Sequence, residues 1–129
     1  LIVRTLCCLR PGVPGFSSNI TVHSLVGQFL EHSRIFQFGR FGEPDFKQII
    51  GSADLMERNL DRRVEVLVPI SDSSIQKMIS DAFEITWSDD ECTWILGTDR
   101  RWRRIRTVNH TSAQDTFKKL ALQQNYPVD

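Results

Sequence analysis

The 129-residue chain has no surplus of charge: sixteen lysines and arginines face sixteen aspartates and glutamates. A general nucleic-acid or membrane-surface binder works through a net positive field, so any anion site here must be a local cluster. Cysteine is scarce and unpatterned. Cys7, Cys8 and Cys92 are odd in number, show no Cys-x-x-Cys spacing and sit beside apolar neighbours. That points to reduced, packed thiols in a cytosolic protein rather than a disulfide framework or a zinc site. No apolar run approaches the roughly 20 residues of a membrane span. Arginines interrupt the opening stretch, so no signal peptide is expected. A starting methionine is also missing, and the chain opens inside the apolar run LIVRTLCCL, so the expectation is a piece of a longer polypeptide.

What is present reads as one globular domain over residues 1–129: 40% hydrophobic, 25% charged, and long enough to build a core without staples. LIVRTLCCL (1–9) reads as a buried strand that stops at the Pro-Gly loop RPGVPG (10–15). ITVHSLVGQFLEH (20–32) reads as a strand leading into a short helix. Strands are expected at 34–42, 46–54 and 62–70, with a helical turn at 55–61. Ser71 to Ser74 is an N-cap signal, and apolar residues at 75, 78, 79, 82 and 83 have helical spacing, so a helix is expected over 75–87. A hairpin turning at Gly97-Thr98-Asp99 spans 89–107, and a Ser-capped helix covers 112–125. Strands alternating with helices give an α/β or mixed α+β sheet domain.

Several constellations could carry chemistry. In His32-Ser33-Arg34 an extended backbone would aim an imidazole and a guanidinium to one side, as a proton carrier beside an anion clamp. Arg4 stands alone in an apolar run, where a charge is costly unless it is paired or faces a cavity. It is either a sheet-edge ion pair or a phosphate fork on a pocket floor. Gly51-Ser52 closes an apolar strand and permits close backbone approach. The charges that follow, Arg58, Arg62 and Arg63 among Asp54, Glu57, Asp61 and Glu65, read mainly as a solvated, mutually paired face. RRWRRIR (100–106) could stack and bind nucleic acid. An alternating hairpin with Trp102 packed inward fits the zero net charge better.

The stretches LCCLRPGVPG, SLVGQFLEHSRIFQFG and GSADLMERNLDRRVEVLVPI strongly resemble the C-terminal domain of bacterial polyphosphate kinases of the phosphohistidine type. The resemblance is dense to about residue 70 and looser beyond, and it implies a phospholipase D-like mixed sheet flanked by helices. In such folds a His-x-Lys motif, a Gly-Ser-x-Asn motif and a later Glu handle phosphoryl groups. His32-Ser33-Arg34, Gly51-Ser52-Ala53-Asp54 and Glu65 stand in those places.

The implied activity is reversible transfer of the terminal phosphate of ATP to inorganic polyphosphate, with Mg2+ held mainly by residues outside this segment. The phosphorylated histidine would belong to the preceding domain, so the isolated segment should be silent. By the same resemblance Arg4 and His32 contact the nucleotide phosphates, and Arg34 adds a phosphate-gripping fork. His32 and Glu65 are the implied catalytic residues, with Glu65 holding one ring nitrogen of His32 and Arg58 or Arg62 pairing with Asp54. No metal ligands are expected within the segment itself. Implied partners are ATP/ADP, polyphosphate and upstream domains of the same chain. A cytoplasmic homo-oligomer is expected, with peripheral membrane association of the parent conceivable and no nucleic acid.

Departures from the family pattern are Thr21, His23 and Gln28 in place of basic residues, Leu55 in place of tryptophan and Glu57 in place of proline. The first three weaken the expectation of a strongly positive lining. The competing readings are a phospholipase D-like phosphodiesterase, disfavoured by Arg34 and Asp54, and a catalytically inert assembly domain.

Overall fold

The structure is a computed structural model that describes residues 1–4 and 7–123. It is a mixed α/β arrangement whose elements run β1 (Ile2–Val3), β2 (His23–Leu25), β3 (Ile35–Phe38), β4 (Lys47–Gly51), α1 (Glu57–Arg62), β5 (Leu67–Ile70), α2 (Ser73–Trp87), β6 (Thr93–Leu96), β7 (Trp102–Arg104) and α3 (Ala113–Gln123). The chain sorts into two compact units. Unit 1 comprises residues 1–31 and 83–129, and unit 2 comprises residues 32–82. The expected mixed α/β architecture is present, with its described strands arranged in two sheets.

Unit 1 carries the sheet β1-β2-β6-β7, in which β1 pairs parallel to β2 and the other pairs are antiparallel. Its buried apolar residues are Val22, Leu25, Leu96 and Ala113. The Pro-Gly loop is tied to itself and to the hairpin turn. Ser17 Oγ donates to the Arg10 carbonyl at 2.6 Å and accepts from Val13 N at 3.0 Å. Arg10 Nε donates to the Thr98 carbonyl at 2.6 Å. Gly12 has a φ of +69°, and a Cβ there would lie 2.8 Å from Thr98 Cγ2, so only glycine fits. In the β6–β7 hairpin Trp102 is half-buried while Arg103 and Arg104 are both exposed, so the expected alternation holds for one step only.

Two buried aspartates organise the other end of this sheet. Asp90 accepts from the backbone N–H groups of Asn109 (2.6 Å), Val108 (2.7 Å) and Thr111 (2.7 Å). Asp89 accepts from Cys92 N (2.7 Å) and from Ala113 N (2.8 Å) at the start of α3. Together they satisfy amides that the turn and the helix terminus would leave unpaired.

Unit 2 carries the antiparallel sheet β3-β4-β5. Gln48 on β4 is buried, and its amide donates to Gln37 Oε1 (3.2 Å), Ser80 Oγ (3.2 Å) and the Gln76 carbonyl (3.5 Å). These bonds fasten the sheet to the first turns of α2. The expected cap is present: Asp72 Oδ1 accepts from Ser74 N (2.9 Å) and Ile75 N (3.1 Å).

Four expectations are corrected. The 1–9 strand is regular only at Ile2–Val3, and residues 5–6 lie outside the described set, as do 124–125 of the last helix. No helix follows β2, because the side chain of Gln114 satisfies the backbone of the segment before His32. Its Oε1 accepts from Phe29 N (3.0 Å), and its Nε2 donates to the Phe29 carbonyl (2.7 Å). The 62–70 strand is regular only at Leu67–Ile70. The thiols are unpaired, but Cys8 is exposed and Cys7 and Cys92 are half-buried rather than packed away. Among the described residues no helix is long and apolar enough to cross a membrane.

Candidate functional site

The site in unit 2 forms where β3 begins and β4 ends. Gly51 N donates to the Arg34 carbonyl at 3.1 Å, which sets Arg34 beside the exit of β4. A Cβ on Gly51 would lie 2.6 Å from the Val66 carbonyl and would also run into Leu67 Cδ2, so the close approach read from Gly51-Ser52 is real. The exit carries Asp54 within reach of the guanidinium. Arg34 Nε donates to Asp54 Oδ1 at 3.0 Å and its NH2 group to Oδ2 at 3.3 Å. This two-pronged pair is geometrically demanding. Asp54 therefore pairs with Arg34, where the sequence suggested Arg58 or Arg62. Those two side chains start from α1 and are exposed, whereas Arg34 lies directly across the sheet from the strand exit.

The remaining terminal nitrogen of Arg34 turns back to His32. It donates to the His32 carbonyl at 3.0 Å and lies 2.6 Å from His32 Nδ1. A guanidinium has only donors to offer, so Nδ1 accepts and the ring proton sits on Nε2. His32 itself is exposed, and its Nε2 has no partner among the described residues. The fork expected to grip phosphate is thus engaged at four of its five N–H groups.

Glu65 has other partners than the His32 ring expected for it. Ser52 Oγ donates to Glu65 Oε2, and Asn59 Nδ2 donates to Oε1 at 2.9 Å. Val66 N in turn donates to Ser52 Oγ at 3.0 Å. The hydrogen bonds from Ser52 and Asn59 hold the Glu65 carboxyl below its usual value, and the nearby charges of Arg63 and Arg34 add to this. Both Glu65 oxygens are taken up by Ser52 and Asn59 in place of the expected link to His32. Asn59, 2% exposed on α1, was not legible as a site residue. Its one signal is an asparagine placed mid-helix, where its side chain competes with the backbone unless another partner engages it.

Arg4 lies just past β1 in unit 1 and is exposed. It and His32 belong to different units, and neither is sealed beneath apolar side chains. Among the described residues no group of three His, Cys, Asp or Glu side chains is placed to hold a metal ion.

Comparison with known proteins defines the family. The model of the polyphosphate kinase C-terminal domain 2 matches residues 1–116. The chain is 52% identical over 120 residues to a polyphosphate kinase of Thermosynechococcus vestitus, covering 93% of the chain and 16% of that protein. It is 42% identical over 125 residues to polyphosphate kinase 1 of Chlorobaculum tepidum, covering 96% of the chain and 18% of that protein. The crystal structure of a polyphosphate kinase from Porphyromonas gingivalis superposes with a TM-score of 0.82 at 30% identity, covering 92% of this chain and 18% of that one. The chain thus spans less than a fifth of the length of these relatives. The chain belongs to the polyphosphate kinase family, within its C-terminal domain 2.

Proposed function

We propose that the chain is the nucleotide-contacting C-terminal part of an enzyme that reversibly moves the terminal phosphoryl group of ATP onto inorganic polyphosphate. In the forward direction the bond from that phosphorus to the ADP oxygen breaks. The group passes to a histidine nitrogen in the preceding domain and then to the terminal oxygen of the polyphosphate chain. Such transfers depend mostly on placing the reactants and neutralising charge spread over the phosphate oxygens. Arg4 supplies a guanidinium, whose planar fork matches two phosphate oxygens. His32 supplies a single directed N–H at Nε2, which donates a hydrogen bond to a phosphate oxygen and so offsets charge as the ADP oxygen takes it up.

The observation that carries the reading is the exposed imidazole of His32, whose inner nitrogen is engaged and whose outer nitrogen is open. Glu65 serves through Ser52 and Asn59, holding the strand exit on which Asp54 and Arg34 meet. Among the described residues no three His, Cys, Asp or Glu side chains are grouped to hold a magnesium ion. We place the parent in the cytoplasm, where free thiols such as Cys7, Cys8 and Cys92 persist, as a homo-oligomer.

The test is made in the full-length enzyme. His32→Ala should abolish ATP-dependent polyphosphate synthesis while its circular dichroism and melting temperature stay at wild-type values. Synthesis at the wild-type rate would refute the role given to His32. The 129-residue chain alone should make no polyphosphate, and measurable synthesis by it would contradict the assignment of the phosphorylated histidine to another domain.

A further inference from the structure

We infer that Arg34 is a positioning residue: braced by Asp54, it locks the His32 imidazole with Nδ1 as acceptor and Nε2–H facing outward. The inference rests on the reading of His32 given above and adds to it what fixes the ring.

The guanidinium is engaged on two sides, by Asp54 and by His32. Its Nε and NH2 edge is taken by both oxygens of Asp54, at 3.0 and 3.3 Å. Its NH1 group bridges the carbonyl and the Nδ1 of His32, at 3.0 and 2.6 Å. The side chain is only 16% exposed. A phosphate approaching Arg34 would have to displace a carboxylate or a ring nitrogen, so the free edge needed for bidentate phosphate binding is absent.

The same geometry controls the ring. NH1 binds the backbone oxygen and the side-chain nitrogen of one residue, which limits rotation of the imidazole about both of its torsions. The opposite tautomer would set N–H against N–H across 2.6 Å and is excluded. Asp54 completes the device. It neutralises the cation and fixes the plane of the guanidinium, as an outer partner fixes a ligating histidine. A planar, five-donor group can bridge two acceptors on different edges in this way, which a lysine ammonium does with far less directional control. This gives a physical reason for arginine in His32-Ser33-Arg34.

The experiment uses the full-length enzyme labelled with 15N-histidine, the His32 signals being assigned by their loss in His32→Gln. The wild type should show a pyridine-type Nδ1 and a protonated Nε2. A protonated Nδ1 with a bare Nε2 overturns the inference. In steady-state kinetics Arg34→Met should lose about 10- to 100-fold in kcat with KM for ATP nearly unchanged. Arg34→Lys, which keeps a donor for Nδ1, should recover part of that loss. A rise in KM at unchanged kcat would instead mark Arg34 as a phosphate grip and overturn the inference.

Should Arg34→Met fail to fold, Asp54→Asn takes its place. It leaves only one acceptor for the fork and should mix the two tautomers and lower kcat; an unchanged spectrum and kcat would refute the role of Asp54 and with it the brace. Wild-type synthesis by His32→Ala would remove the catalytic meaning of the ring. The nitrogen spectrum would still report its tautomer, so the two failures are distinguishable.

Discussion

Both oxygens of Glu65 accept hydrogen bonds from neutral neighbours, Ser52 and Asn59, and this sets how one carboxylate bears on folding. Its pKa is depressed in the folded state, chiefly by the Ser52 hydroxyl. A depressed value means that the unfolded chain binds the proton more readily. The stabilisation is therefore complete above the ordinary glutamate range, ~4.3, and is lost as pH falls through the folded value. Glu65→Gln places an N–H2 against a donor, so its melting temperature should lie below wild type at neutral pH. The gap should close in acid, and a constant gap from pH 7 to 3 would contradict the assignment. At this scale the sequence showed the His32-Arg34 pair, because i and i+2 on extended backbone share a side. It did not show that Arg34 would take Nδ1 and leave Glu65 to Ser52 and Asn59, since those partners meet only once β3, β4 and α1 are assembled.

Among the elements, β4 and β5 meet most tightly at Gly51, where a side chain would run into the Val66 carbonyl and Leu67. Gly51→Ala should cost about 1–3 kcal/mol, because a backbone atom cannot yield as a flexible side-chain tip can. Hydrogen exchange of the β4 and β5 amides should rise with it, and unchanged protection would show that the strands separate at no cost. The positions of β3, β4, α2, the β6–β7 hairpin and α3 follow from local pattern, turn residues and the Asp72 cap. The stretch before His32 does not. Its glycine-interrupted pattern looks helical locally, but Gln114, 85 residues away, binds both backbone groups of Phe29. A partner that distant leaves no periodic trace. The apolar patterns at 1–9 and 62–70 extend past the regular strands Ile2–Val3 and Leu67–Ile70, because such a pattern does not reveal where a neighbouring strand stops.

Over the whole molecule, equal numbers of acidic and basic residues leave local desolvation and hydrogen bonding to set the response to pH. Asp90 is held below the usual aspartate range by the amides of Asn109, Val108 and Thr111. His23 is depressed from 6.5, mainly by burial, with its ring stacked 4.1 Å from Trp87 and its Nδ1 lacking a partner among the described residues. Both signs agree: each group is protonated more easily in the unfolded chain, so stability falls with pH, first below about 6.5 through His23 and then below about 4 through Asp90. Thermal melts of the chain should show this two-stage decline. His23→Phe should remove the first stage and keep the second, while an unaltered first stage would clear His23 of it. The central claim, that Arg4 and His32 hold the nucleotide phosphates, is tested most directly by a crystal structure of the full-length enzyme with a non-hydrolysable ATP analogue. The account predicts the Arg4 guanidinium and His32 Nε2 each within about 2.7–3.2 Å of a phosphate oxygen. A well-ordered analogue that touches neither side chain would contradict it.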